Sequence, residues 1–154
     1  MILLPSKRVS TFLVASLLVG VSSAAAPEAP FKEKGVGTVS SVVPGHLSFA
    51  GSGTASHLGK FTEVGSNDFD DQGNIFNGHF TTTASDGATV SGVYSGTFAP
   101  QPSGKIQFNL TVTWLEGTGR LTGATGQLNV VALLDAVAPG ATFEYEGLGS
   151  VVLP

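Results

Sequence analysis

Three groups of residues in this chain have types and spacings that chemistry could use. The first is Asp68-Phe69-Asp70-Asp71-Gln72-Gly73-Asn74, which opens like a calcium loop, Asp-x-Asp-x-x-Gly. Such loops close on a bidentate glutamate at the twelfth position. Here that position is His79, which cannot replace it, so the segment reads as a solvated acidic loop and no metal is assigned. The second group is Glu144 and Glu146, which flank Tyr145 on one strand face about 7 Å apart by strand rise. That separation suits an inverting glycosidase. Their face is opposite that of Phe143 and Tyr145, however, which favours solvent-facing carboxylates. The third group is His46, His57 and His79, which lie in separate segments without metal-ligand spacing. His57, in Ser56-His57-Leu58-Gly59-Lys60, reads as a structural histidine bonded to backbone. Serine, histidine and aspartate are all present, but no Gly-x-Ser-x-Gly elbow presents a nucleophile. The chain contains no cysteine, which excludes disulfides, thiolate catalysis and cysteine-held zinc. No cofactor is expected.

Any such residue needs a scaffold. The 154 residues are 42% hydrophobic and only 12% charged, which suits one domain with a core. Lys7 and Arg8 precede an apolar run over residues 9–21, and small residues follow in Ser22-Ser23-Ala24-Ala25-Ala26. This is the layout of a secretory signal peptide with cleavage near Ala24 to Ala26. The run is shorter than the roughly 20 residues of a membrane span. The expected organisation is a signal peptide over 1–25, an N-terminal extension over 26–34 and a folded domain over 35–154, exported to the periplasm or beyond. Removal of the leader leaves five basic against eleven acidic side chains, a net charge of −6. No basic patch remains for nucleic acid. No basic amphipathic helix remains for a membrane surface.

The rest of the chain has the period of β-strands. Ile106, Phe108, Leu110, Val112 and Trp114 alternate with Gln107, Asn109, Thr111 and Thr113. Asn109-Leu110-Thr111 is also a glycosylation sequon, relevant only in a eukaryotic host. The same test gives eight strands, near 36–43, 46–55, 57–65, 75–84, 88–98, 104–115, 121–135 and 141–152. Ser85-Asp86-Gly87 joins two of them as a tight hairpin. Pro44, Pro100, Pro102 and Pro139 fall between strands, where no ladder donor is needed. Glycines at alternating positions, Gly51 and Gly53, Gly92 and Gly96, Gly147 and Gly149, let a sheet coil tightly. The expected fold is an all-β, eight-stranded antiparallel barrel.

The segment "EGTGRLTGATGQLNV" carries four glycines into the start of a strand. It lacks the helix and the Lys-Ser/Thr pair of a phosphate loop, so Gly117, Gly119, Gly123 and Gly126 read as a turn followed by a bulge or sharp bend. Its pattern resembles the Gly-Thr-Gly-x-Phe-x-Gly-Ala-x-Gly signature of the allene oxide cyclase barrel superfamily, which includes the dirigent proteins, with Leu121 in place of the phenylalanine. "GSGTASHLGKFT" and "SDGATVSGVYSGTF" resemble a bacterial branch of secreted barrels. The resemblance implies an eight-stranded barrel, often trimeric in the plant members. It also implies polar residues inside the barrel, including a glutamate and an asparagine on the first strands. Between Gly35 and Thr62 there is no acidic residue. Tyr94 falls near a cavity tyrosine of the cyclases, and the lone mature-chain arginine, Arg120, lies in the turn.

Two functions follow. The first is a secreted barrel that binds a small apolar molecule, with Phe49, Phe61, Phe80, Tyr94, Phe108 and Trp114 as lining candidates, or that serves assembly. The second is an isomerase or cyclase acting on a hydrophobic substrate in the cavity. Convergence of two or more polar groups with perturbed pKa values inside the barrel separates the second from the first. For assembly, Val131 and Leu133 are expected outside the barrel. They would be covered by a second copy, as in a trimer, or otherwise by residues 29–36.

Overall fold

The computed structural model describes residues 25–154. The signal peptide expected over 1–25 therefore lies, but for its last residue, outside the described residues. Eight strands run in order: β1 (Glu28–Val43), β2 (His46–Ala55), β3 (Gly59–Phe69), β4 (Asn74–Ala84), β5 (Thr89–Pro100), β6 (Ile106–Gly117), β7 (Thr125–Leu134) and β8 (Thr142–Val152). Each is antiparallel to the next, and β8 closes back on β1. The result is a closed barrel without an edge strand. The wall alternates as the sequence predicts. In β6, Phe108, Val112 and Trp114 are buried while Asn109, Thr111 and Leu115 face out.

Three boundaries differ from expectation by four residues or more, the first being the end of β3, which runs to Phe69 instead of 65 and takes in Asp68 and Phe69 of the expected acidic loop. β1 begins at Glu28, so most of the segment expected as an extension before residue 35 is barrel wall, paired from Glu28↔Val152 to Thr38↔Thr142. Lys32 and Lys34 point outward from this stretch, and Phe31 and Glu33 point inward. Residues 29–36 consequently cannot cover β7 from outside. β7 begins at Thr125 instead of 121, because Gly119–Leu121 forms a 3-10 turn first. The four glycines of this segment have steric reasons. Gly119 and Gly123 adopt φ +58° and +85°, and a Cβ on Gly117 would run into the Leu121 carbonyl. A Cβ on Gly126 would sit 2.7 Å from Val151. Opposite Ser91 and Gly92, the β6 register slips by one residue, so that Glu116, which strict alternation after Trp114 would turn inward, is exposed.

The interior is filled by aromatic rings lying over glycines. Gly35 is the register partner of Tyr145, Gly53 of Phe61, Gly65 of Phe49, Gly78 of Tyr94 and Gly92 of Phe80. A Cβ on Gly35 or Gly65 would stand 2.6 Å from the ring opposite. Cross-strand neighbours have Cβ atoms only about 5 Å apart, so a ring lying across the barrel wall is accommodated by a glycine on the facing strand at these five rungs, whereas at the rim Phe98 and Phe108 share one.

The two ends differ. At one, the β2–β3, β4–β5 and β6–β7 loops close over buried Leu58, Ala88, Leu121 and Ala124. Arg120 ties these loops together: its Nε donates to Asp86 Oδ2 at 2.5 Å and its Nη1 to the His57 carbonyl at 2.7 Å. At the other end, half-buried Phe49, Phe69, Phe98 and Phe143 form a rim of edge-on and tilted rings, with centroids 5.4–6.0 Å apart where Phe98 meets Phe108 and Phe69.

Gly92→Ala should destabilise the protein by about 1–3 kcal/mol, the usual range for overpacking, because its Cβ would meet the Thr113 backbone, which cannot swing aside. Urea unfolding measures this. Gly104, in an exposed turn with no atom within 4 Å of an added Cβ, is the control that separates crowding from the backbone cost of a positive φ.

Candidate functional site

Between the plugged end and the aromatic rim lies a cavity of about 80 Å³. Phe49, Phe80, Tyr94, Phe108 and Trp114 of the expected lining do line it. Phe61 does not. It is buried over Gly53, two residues into β3, where it fills the wall near the β2–β3 loop. The volume is well under the roughly 300 Å³ lower bound of ordinary small-molecule pockets.

The cavity is not uniformly apolar. Glu33, Glu63, Asn67, Thr82 and Tyr145 line it as well, and none was singled out from the sequence. Glu33 stands on the inward face of β1, only 8% exposed, with its carboxyl over Gly147 of β8. Glu63 comes from β3, and Thr82 Oγ1 of β4 donates to its Oε2 at 2.7 Å. Asn67, two rungs along β3, accepts a hydrogen bond of 3.0 Å from the buried Tyr94 hydroxyl. The Asn67 amide donates in turn to the Asp68 carbonyl at 3.1 Å. Tyr145 lies over Gly35, 6% exposed, and its hydroxyl has no hydrogen-bond partner.

Burial of carboxyls without a cation raises their pKa values. Desolvation, and secondarily the Glu63 carboxyl, pushes Glu33 up to about 8. Desolvation likewise pushes Glu63 up to about 7, against the opposing hydrogen bond from Thr82. Tyr94 and Tyr145 are shifted upward, chiefly by burial and then by Glu63, so both phenols stay protonated at neutral pH. Both carboxyls thus hold their protons well above the ordinary carboxylate range, beside an unpartnered phenolic hydroxyl.

The other candidates lie elsewhere. Asp70 closes the 68–74 loop on itself. It accepts from the Gln72 and Asn74 backbone amides at 2.9 Å and from the Asn74 side chain at 2.8 Å, which holds its pKa down. Asp68 accepts from Asn77 at 2.9 Å and pairs with His46 Nδ1 at 2.7 Å. Among the described residues, no three His, Asp or Glu side chains gather as a metal site. Glu144 and Glu146 face outward, Glu144 3.6 Å from Lys105 Nζ. His57 Nε2 meets the Pro30 carbonyl at 3.3 Å, and His79 is exposed. Val131 also faces outward, 44% exposed.

The missed residues had a signal. Phe31, Glu33, Gly35 and Gly37 continue one alternation, and Phe61, Glu63, Gly65 and Asn67 another. Extending the first strand back along its period carries Glu33 inside, and Glu63 lies within the strand expected over 57–65, on the same face as Phe61. Searches against family models, curated proteins and solved structures find no match to this chain.

The raised pKa values bear on stability. The unfolded chain releases both protons near 4.5, whereas the folded barrel keeps them to about 7 and about 8. Their contribution is therefore most favourable below 4.5 and is lost as pH rises through that window, at up to about 1.4 kcal/mol per pH unit for each group. The exposed Asp68, Asp70, Asp86 and Asp135 are held low and act oppositely, losing stability as pH falls through their folded values. The melting temperature should peak near pH 5 and decline toward pH 8.5. Glu33→Gln should flatten the alkaline limb, and an unchanged limb in calorimetric scans would show that Glu33 titrates normally.

Proposed function

We propose that the barrel interior is an acid–base site that moves a proton on a small, largely apolar substrate, the isomerase or cyclase reading. The observation that carries this is the convergence of Glu33 and Glu63, both with raised pKa values, in one cavity with unpartnered Tyr145. Carboxyls whose environments separate their titrations divide the roles of base and acid. Glu63, whose charged form the Thr82 hydroxyl favours, takes a proton from carbon beside a carbonyl or alkene. Glu33 supplies one to the far end of the shifting electron pair. The Tyr145 hydroxyl donates to the oxygen on which charge develops. One proton is removed and one returned, so the net change is isomerisation without redox chemistry. The resemblance of the 117–126 segment to the allene oxide cyclase barrel superfamily supports the same class. The barrel shape alone does not assign that family.

A second reading, binding of an apolar molecule without turnover, draws on the aromatic lining and the narrow volume. One probe separates the two. A cavity of 150 Å³ admits benzene, so 80 Å³ suits about three or four non-hydrogen atoms. Acetone has four. Exchange of its methyl protons into D2O, followed by proton NMR at pH 7.5, should be at least tenfold faster with the wild-type protein than with Glu63→Gln. Equal rates, together with saturable acetone shifts on cavity residues, would leave the binding reading in place.

A further inference from the structure

The polar end of the cavity has a definite charge preference. Its titratable groups come from four strands: Glu33 of β1, Glu63 of β3, Tyr94 of β5 and Tyr145 of β8. The other four strands contribute Thr82 and apolar side chains. No lysine, arginine or histidine lines the space. Tyr94 is already committed to Asn67, and one oxygen of Glu63 to Thr82. What is left without a protein partner is oxygen: the Glu33 carboxyl, the second Glu63 oxygen and the Tyr145 hydroxyl, which is more than nine-tenths buried.

We propose that this end of the cavity is a binding site for the ammonium head of a small primary alkylamine, and that it rejects carboxylates of the same size. A primary ammonium carries three N–H donors and no acceptor. Glu33, Glu63 and Tyr145 offer three acceptor groups. A cation entering here meets carboxylates that have no other counter-charge, in surroundings where screening is weak. An anion would meet like charge and find only the Tyr145 hydroxyl and a protonated carboxyl as donors. The alkyl part would lie against the aromatic and aliphatic lining beside the rim. This selectivity concerns binding and holds whether or not a proton is then moved, so its test is separate from the exchange experiment.

The site also sets the direction of a pH dependence. The carboxyls must be ionised to hold a cation, so binding releases protons and tightens with pH while the amine stays charged, which simple alkylamines do to about pH 10. Glu33 and Glu63 titrate near 8 and 7, so the change falls between pH 6 and 8.5.

The experiment titrates the protein with n-propylamine, n-propanol and propionate, reading amide shifts by NMR and heats by calorimetry. Propylamine should bind at least tenfold more tightly than propionate at pH 8 and about tenfold more tightly at pH 8 than at pH 6. Its shifts should cluster on cavity residues, with propanol between the two. Glu33→Gln with Glu63→Gln should abolish the preference for the amine over propanol, and Glu144→Gln on the outer face should leave it unchanged. If the double variant does not fold, the wild-type ranking of amine against carboxylate decides alone. Propionate binding as well as propylamine, amine shifts confined to Glu144 and Glu146, or no amine binding at high millimolar concentration would each overturn the proposal.

Discussion

The barrel depends on a steric pairing repeated through its wall: five inward rings each have a glycine across from them on a neighbouring strand. Tyr145 has Gly35, Phe61 has Gly53, Phe49 has Gly65, Tyr94 has Gly78 and Phe80 has Gly92. Eight strands enclose a space only just wide enough for side chains to fill. Two rings share a rung only where the barrel opens at the rim, as Phe98 and Phe108 do, and glycine on both sides would leave a void that costs stability. Alternating the two fills the interior at close to crystal density and pins the register, because a slip of one residue would put rings outside and charges inside.

The same pairing builds the candidate site. Glu33 occupies the ring's place opposite Gly147, one rung from the Gly35–Tyr145 pair. The carboxyl is thereby delivered into the interior as a phenylalanine would be, but with a polar head that the surroundings do not satisfy. Glu63 arrives through the same alternation two residues beyond Phe61. Among the described residues neither pairs with a cation, no basic side chain lines the cavity, and Arg120 at the closed end is engaged by Asp86 and the His57 carbonyl. Two buried, mutually repelling carboxyls oppose folding at neutral pH. Such groups, gathered in a cavity and shifted from their ordinary titration, are the mark of a site more than of a scaffold.

The ends of the barrel give the cavity a direction. Leu58, Ala88, Leu121 and Ala124 seal one end with small and branched side chains, and the 117–126 glycines allow the chain to turn tightly enough to place Leu121 there. The other end is lined by half-buried rings that pack edge-on instead of interlocking.

The sequence by itself determined the all-β class, the eight strands, the hairpin at Asp86-Gly87 and the inward set of β6. All of these follow from local alternation and turn chemistry, which each segment carries within itself. It also showed that Glu144 and Glu146 face solvent and that His57 bonds to backbone. It did not show that Lys32-Glu33-Lys34 belongs to the wall, because a charged run looks like a solvated tail until a partner strand is known. Its partners are the end of β2 and β8, the latter more than a hundred residues away, and the pairings Glu33↔Ala55 and Glu33↔Gly147 hold Glu33 inward. Closure of β8 on β1 then decided the rest: which carboxyls meet, that Tyr145 lacks a partner, that Phe61 fills wall and not cavity, and how little space is left. Facing direction is a property of a strand, whereas convergence is a property of the closed barrel.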